Sequence, residues 1–447
     1  MVVKAGLDRN YKRYRRLFKK KTRDNSHRAL QYLQGLIQSD KAVNMTNIPK
    51  TIPGSDNQSL QHFISESTWD EEGIITRLQA DAAKLFGDPK RASLHIDGSA
   101  FGKQGRNSVG VARQYNGRLG KVDNCQVGVF LGYAKKGYRA LIDKRLYLPK
   151  EWIDDKERRK KCKVPDEVVF KTKAELGLEM IQRAKERKLP FGWVGMDAEF
   201  GEQPWLLDAL DKEGITYIAD IASNTRAWLK KPKTELPPKM GITGRKPTIV
   251  RIPGGEPKPL EVRKIAKDPS MKWETIFIRD TERKPLWTQI ACLRVYPVKD
   301  KLPGEPVWLI IRQNEGEKET KYQLSNADEH TSTDMLGKMS ASRYWIERAL
   351  QDAKSDMGMA DYQLRGWRGW HHHITMTFMA MLFLTDMLIE LHHKIPLTIQ
   401  DVREIFEYAL SRQLTEDEFT NWINQKIKAR QSARRSHHTH HKRPPPK

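Results

Sequence analysis

The sequence predicts an α/β protein whose central sheet is interrupted by a β-rich insertion and flanked by helical regions. Three observations carry this. Strand-like segments begin after residue 90 and then alternate with helical ones. Twelve of the 23 prolines fall between residues 225 and 330, where apolar runs alternate with turns. Before residue 90 and after about 338, apolar residues recur at helical spacing.

Residues 7–40 lack proline, and Tyr11, Tyr14 and Phe18 recur at i, i+3, i+7 among basic side chains, so the stretch reads as helical. Residues 56–86 give two shorter helical patterns, with Trp69, Ile74, Ile75 and Leu78 as apolar points. Residues 1–90 therefore read as a helical domain. Its role is either DNA binding or that of a cap serving solubility alone. Strand-like segments follow: SLHID, NSVGVARQY, NCQVGVFLGYA and YRALIDKRLYLP, with a turn signal at Asn116-Gly117. A helix is predicted over 172–186, a strand over 192–196, a helix over 205–212 and a strand over 215–221. Strands, helix, strand, helix, strand is the order of a ribonuclease H-like α/β sheet, assigned here to 91–224. The β-rich insertion, 225–330, has candidate strands at 273–278, 287–296 and 307–312. Helices from about 338 place the second part of the sheet domain at 331–428. Residues 429–447 are basic and of low complexity, and are predicted to be disordered.

Of 447 residues, 38% are hydrophobic and 30% charged, which fits a globular protein with a polar surface. The formal net charge of +24 favours a polyanionic partner, because Lys and Arg neutralise phosphates and release counterions. The charge is concentrated at the ends: residues 1–30 hold eleven Lys/Arg against two Asp, and 426–447 hold eight with no acid. Cys125, Cys162 and Cys292 form no CxxC pair, which argues against a zinc module and a disulfide framework. The basic N-terminal stretch lacks the apolar run of a signal peptide, so a cytoplasmic, nucleoid-associated protein is expected. The apolar run Ile374–Ile389 contains Asp386 and reads as a buried helix, with no membrane partner. No phosphate-cradling G-x-x-x-x-G-K-[ST] is present, so no nucleotide cofactor is expected.

Phosphoryl transfer requires charge stabilisation at a phosphate that itself repels anions. Two divalent cations supply it, and carboxylates are the oxygen ligands that hold Mg²⁺ or Mn²⁺. Asp97 ends the first strand-like segment (LHID), and Asp197 follows a later one (GWVGMD). Each could also be an ordinary loop residue. Glu347 sits in a helical pattern. At about 100° per residue, Arg343, Glu347 and Lys354 fall within roughly 40° of one another. Ile346, Leu350, Ala353 and Met357 form a separate apolar stripe. The competing reading is a solvated helix with ion pairs at i, i+4.

From about residue 27 to 390 the sequence resembles bacterial insertion-sequence transposases of the DDE class, in the branch with a β-rich insertion. The stretches that carry the resemblance are HIDGSAFGKQGRNSVGVARQY, NCQVGVFLGYA, LIDKRLYLPKEW, GMDAEFG and RYWIERALQDAKSDMGMADYQLRGWRGWHHH. It implies a DDE triad of Asp97, Asp197 and Glu347 that binds two Mg²⁺ (or Mn²⁺) ions as a two-metal centre. The family signature Y-x2-R-x3-E-x6-K maps its Arg, Glu and Lys onto Arg343, Glu347 and Lys354. Its Tyr position holds Ser340, and Tyr344 has the wrong spacing. Related enzymes read closer to GDE-x-YG at the second stretch, which makes Glu199 a competitor of Asp197 for metal. The resemblance implies cut-and-paste movement of a mobile element, by a homodimer on double-stranded DNA comprising terminal inverted repeats and target. The alternatives are a domesticated DNA-binding protein or regulator without catalysis, and a ribonuclease H-like nuclease that cuts without joining.

Other clusters are weaker. Three adjacent histidines, His371 to His373, cannot share one direction on a helix, which argues against a metal site. His437, His438, His440 and His441 could take up metal adventitiously. Lys156–Lys163 reads as a solvated loop or a contact to the DNA backbone. Trp228, Trp273 and Trp287 in the insertion are either base-stacking residues or core.

Overall fold

The computed structural model describes residues 2–38, 42–117, 119–237, 247–281, 285–314, 319–391, 398–412 and 416–440. In chain order, helices α1 (Val2–Lys12), α2 (Ser26–Gln38), α3 (Asn57–Ser65) and α4 (Glu71–Phe86) precede strands β1 (Ser93–Gly102), β2 (Ala112–Asn116), β3 (Lys121–Lys135) and β4 (Tyr138–Tyr147). Helices α5 (Lys156–Lys161) and α6 (Lys173–Glu186) lead to β5 (Trp193–Met196), α7 (Pro204–Lys212) and β6 (Tyr217–Ile221). Strands β7 (Glu274–Asp280), β8 (Pro285–Lys299), β9 (Val307–Asn314) and β10 (Thr320–Ser325) follow. Helices α8 (Thr333–Ala341), α9 (Tyr344–Asp356), α10 (Trp367–Leu391), α11 (Ile399–Arg412) and α12 (Glu416–His440) complete the order.

Several boundaries follow from local chemistry. Asp56 and Asp70 cap α3 and α4 by accepting from the backbone N–H groups of Ser59 and Gly73. Thr172 and Glu175 form a reciprocal capping box that starts α6. Two expected boundaries differ. The helical reading of 7–40 is interrupted by a short helix, Arg15–Phe18, and a hairpin of Lys19–Lys20 with Arg23–Asp24. There Phe18 is fully buried against Phe63 and Trp69, and this tertiary anchor overrides helix continuation. The disordered tail expected from 429 is helical as far as His440. Residues 416–440 contain neither Pro nor Gly, and Lys, Arg, Gln and Ala sustain a helix.

The chain divides into two compact units, Met1–Gly192 with Tyr344–Ser436, and Trp193–Arg343. In the first, β3 is paired antiparallel with β1, with β4 and, at its start, with β2. Asp97 lies opposite Phe130. Helix α10 forms the core of this unit. By length and composition it could cross a membrane, but it is largely buried here. Its histidines lock the N-terminal helices to it: Trp69 stacks on His372 at 3.9 Å between centroids, and Tyr32 Oη lies 2.7 Å from His373 Nδ1.

In the second unit, β5 and β6 are parallel, with Val194 beside Tyr217. Strand β6 then pairs antiparallel with β10, β10 with β9, β9 with β8, and β8 with β7. The strands of 225–330 thus extend the sheet of β5 and β6. Alternation along β9 shows that both faces are covered: Leu309 and Ile311 join Val262, Ile265 and Val295 on one side. Ile310 joins Ile290, Leu336 and Met339 on the other. Trp228 is core, buried with Nε1 donating to the Pro257 carbonyl. Trp287 meets Phe277 edge-on, and Trp273 is exposed.

Candidate active site

In the first unit, Asp97 is half-buried on β1, and its side chain leaves the same face as those of His95 and Phe101. Helix α9 covers that face. A Cβ on Gly132, the register partner of His95, would meet Ile346 Cδ1 at 2.5 Å, so glycine here lets the helix approach. Further along, Lys354 Nζ donates to the Ala100 carbonyl at 3.0 Å and lies 4.7 Å from the centre of the Phe101 ring. Glu347 is two turns before Lys354 on the same side of the helix. Seven helical residues advance about 10 Å, and so do the three strand residues from Asp97 to Ala100. Glu347, which is exposed, therefore stands about level with Asp97. Asp97, Glu347 and Lys354 thus lie in the first unit, on β1 and on the helix that covers it; Asp197 and Arg343 lie in the second unit.

There, Asp197 ends β5 and caps the single turn Ala198–Gly201, accepting from the Phe200 N–H. The closing glycine of GMDAEFG has a steric cause, since a Cβ on Gly201 would meet the Asp220 carbonyl oxygen at 2.2 Å. Burial raises the Asp197 pKa, and the charges of Glu199 and Asp220 raise it further, while Arg343 lowers it. Glu199 is exposed. Arg343 Nε lies 3.0 Å from Asp220 Oδ2, and Asp220 also accepts from Gln323, its register partner. Asp220 escaped the sequence reading; its only signal is a single acid in the apolar strand YIADI.

One expectation is corrected. The face shared by Arg343, Glu347 and Lys354 assumed a continuous helix, but α8 ends at Ala341 and α9 begins at Tyr344. Ser342 forms the break: its hydroxyl donates to the Met339 carbonyl and accepts from Trp193 Nε1. Arg343 thus sits in a turn and pairs with Asp220. Ser340, at the family's Tyr position, is buried, and its carbonyl accepts from Gln323.

Comparison with known proteins decides the family. The family model described as "DDE superfamily endonuclease" matches residues 14–285, more than half of the chain. The chain belongs to this superfamily. The match includes Asp97 and Asp197 and ends before Arg343, Glu347 and Lys354. A curated relative, the "Probable transposase for insertion sequence element IS701" of Microchaete diplosiphon, is 25% identical over 345 residues, covering 76% of this chain and 77% of its own.

DDE endonucleases use divalent metal ions, generally Mg²⁺. The candidate carboxylates, Asp97, Asp197 and Glu347, are oxygen donors, which suits a hard cation. The mutual repulsion felt by Asp197 is likewise of the kind a cation relieves. No group of three or more His, Cys, Asp or Glu converges as a metal site among the described residues. His371 to His373 are committed to packing. His372 faces the Ile64 carbonyl, His373 faces Tyr32 and the Gly358 carbonyl, and His371 lies beside Glu71. Residues His437, His438 and His440 fall on α12, and His441 is outside the described residues. A cleft of about 580 Å³ in the first unit is lined by Glu71, Asp143, Lys144, Arg183 and His371. These charges pair with one another, Lys144 with Glu71 and Asp143 with Arg183.

Proposed function

We propose that this DDE endonuclease is a DNA transposase, with a ribonuclease H-like catalytic domain, that cuts the ends of a mobile element and joins them to target DNA. The observation that supports the reading is that α9, which carries Glu347 and Lys354, covers the β1 face bearing Asp97, within a chain of this superfamily. Asp97, Asp197 and Glu347 would hold two divalent ions, Mg²⁺ or Mn²⁺. When bound, these supply Lewis acidity and positive charge at the reacting phosphate.

The chain's own groups do the positioning. Lys354, tied to the β1 backbone and resting on Phe101, offers a fixed ammonium on the carboxylate-bearing face, where it offsets charge gathering on the phosphate oxygens. Arg343, held by Asp220, offers a planar fork suited to two phosphate oxygens. Double-stranded DNA, comprising inverted repeats and target, is the substrate, a homodimer is the acting form, and the cytoplasmic nucleoid is the place of action. The N-terminal cations supply much of the affinity.

The test is incubation with element-end DNA, target DNA and Mg²⁺. Cleaved ends that become covalently joined to target are expected. Ends that are cut and never joined would leave an endonuclease, and binding without cutting would leave a regulator. Substitution Lys354→Ala should slow the cleavage step even at saturating Mg²⁺; full rescue by excess metal would remove Lys354 from the phosphate.

A further inference from the structure

The DNA-facing surface of the first unit can be specified further, resting on the transposase reading. Strand β3 is paired with β1 as far as Cys125 and with β4 as far as Val127. Residues 121–124 pair instead with β2, so β2 and the start of β3 form a two-stranded ribbon running past the sheet. Register decides its faces. Ala112 and Asn116 are buried on one side, with Cys125 beside Ala112. Arg113, Tyr115 and Val122 are exposed on the other, with Tyr115 directly opposite Val122.

An outward ribbon face is ordinarily polar. Here Tyr115 is 63% exposed, and Val122 and Leu119 are each 50% exposed, a cluster of apolar side chains at one tip. Cations lie along the ribbon, Lys121 opposite Asn116 near the tip and the others toward the base. Arg106 and Lys121 are exposed, and α5 adds Lys160 and Lys161. Helix α5 is fixed to the base of the ribbon: Arg158 donates to the carbonyls of Arg106 and Val111 and lies over the Trp152 ring, whose Nε1 also donates to Val111. Among the described residues, none of Arg106, Lys121, Lys160 and Lys161 is paired with a carboxylate. Asp123 lies on the ribbon and Glu157 on α5, and Asp154 and Asp155 precede α5, where Asp155 pairs with Arg158.

We infer that this ribbon and α5 form a duplex-DNA docking surface. The ribbon enters the major groove, whose width admits two strands, with Tyr115 and Val122 against the bases and the cations on flanking phosphates. The charge settles the choice of partner, since exposed cations along a ribbon with an apolar tip suit a polyanion better than a second copy of a basic chain.

The experiment measures anisotropy of the full chain with a short duplex of arbitrary sequence, without metal, across a salt series. Replacing Arg106, Lys121, Lys160 and Lys161 by alanine should flatten the log–log salt slope by up to about 3.6. Tyr115→Ala should weaken binding about tenfold with little change in slope. Unchanged slope and affinity in variants that melt like the wild type would overturn the inference. So would loss of self-association in Tyr115→Ala with DNA binding intact, which would assign the tip to a second copy. If the wild-type chain binds no duplex at all, the transposase reading itself falls.

Discussion

Helix α10 carries three consecutive histidines in its second turn, while α9 carries a glutamate and a lysine two turns apart. By residue type, the histidines are the more conspicuous metal ligands. In the structure they are absorbed: His372 stacks on Trp69, and His373 is enclosed by Tyr32, Tyr362 and the Gly358 carbonyl. Burial pushes His372 down to about 3 and His373 down to about 4. Helix α9 divides its own charges the same way. Asp352 is buried and bound by Arg139 and Arg348, whereas Glu347 is exposed. Burial and solvent access, more than residue type, separate groups that hold the fold from groups that a substrate can reach.

The largest effect that could break this comparison is on stability. Asp352→Ala leaves two cations facing an emptied buried position and should cost about 3–5 kcal/mol, read by denaturant unfolding. A loss below about 1 kcal/mol would mean that α9 does not divide its charges as described. Next is His373→Ala, which strands the buried Tyr32 hydroxyl and should cost about 1–3 kcal/mol.

The histidines also set a pH dependence. Their folded pKa values lie below the ordinary value of 6.5, so the unfolded chain binds more protons between about pH 4 and 6.5. Their contribution is complete above 6.5 and is lost as pH falls, by up to about 1.4 kcal/mol per unit for each histidine. Unfolding midpoints from pH 7 to 5 should fall accordingly, and more gently in His372→Asn. A wild-type midpoint that stays flat over this range would contradict their burial as neutral side chains.

Much of this was legible in the sequence, because the relevant signals are local. The Thr172–Glu175 box marks the start of α6, and Asp197 follows the short apolar strand Trp193–Met196, whereas Asp97, read from the sequence as a strand end, lies midway along Ser93–Gly102. What was not legible depends on distant partners. Nothing local in SASRYW marks the break at Ser342, which is made with Trp193. Likewise, Asp220 acquires meaning only through Arg343 and Gln323. The membership of 1–90 in the first unit rests on stacking between Trp69 and His372, 303 positions apart in a chain that offers no local hint of it. A truncation removing 1–90 would expose that core, so point substitutions are the cleaner probe of the N-terminal cations.

The smallest effect concerns the insertion tryptophans. Trp273→Ala should shift stability by no more than about 0.5 kcal/mol, because its side chain is exposed. Trp228→Ala, in the core, should cost about 3–5 kcal/mol. Equal costs for the two would contradict their assigned environments.

The central claim is that Asp97 and Glu347 serve chemistry and not the fold. It is tested most directly by Asp97→Asn and Glu347→Gln, each assayed for element-end cleavage with Mg²⁺, duplex binding and thermal unfolding. The account predicts cleavage at least about 100-fold slower, with binding and melting close to wild type. Near-wild-type cleavage by either variant would contradict it.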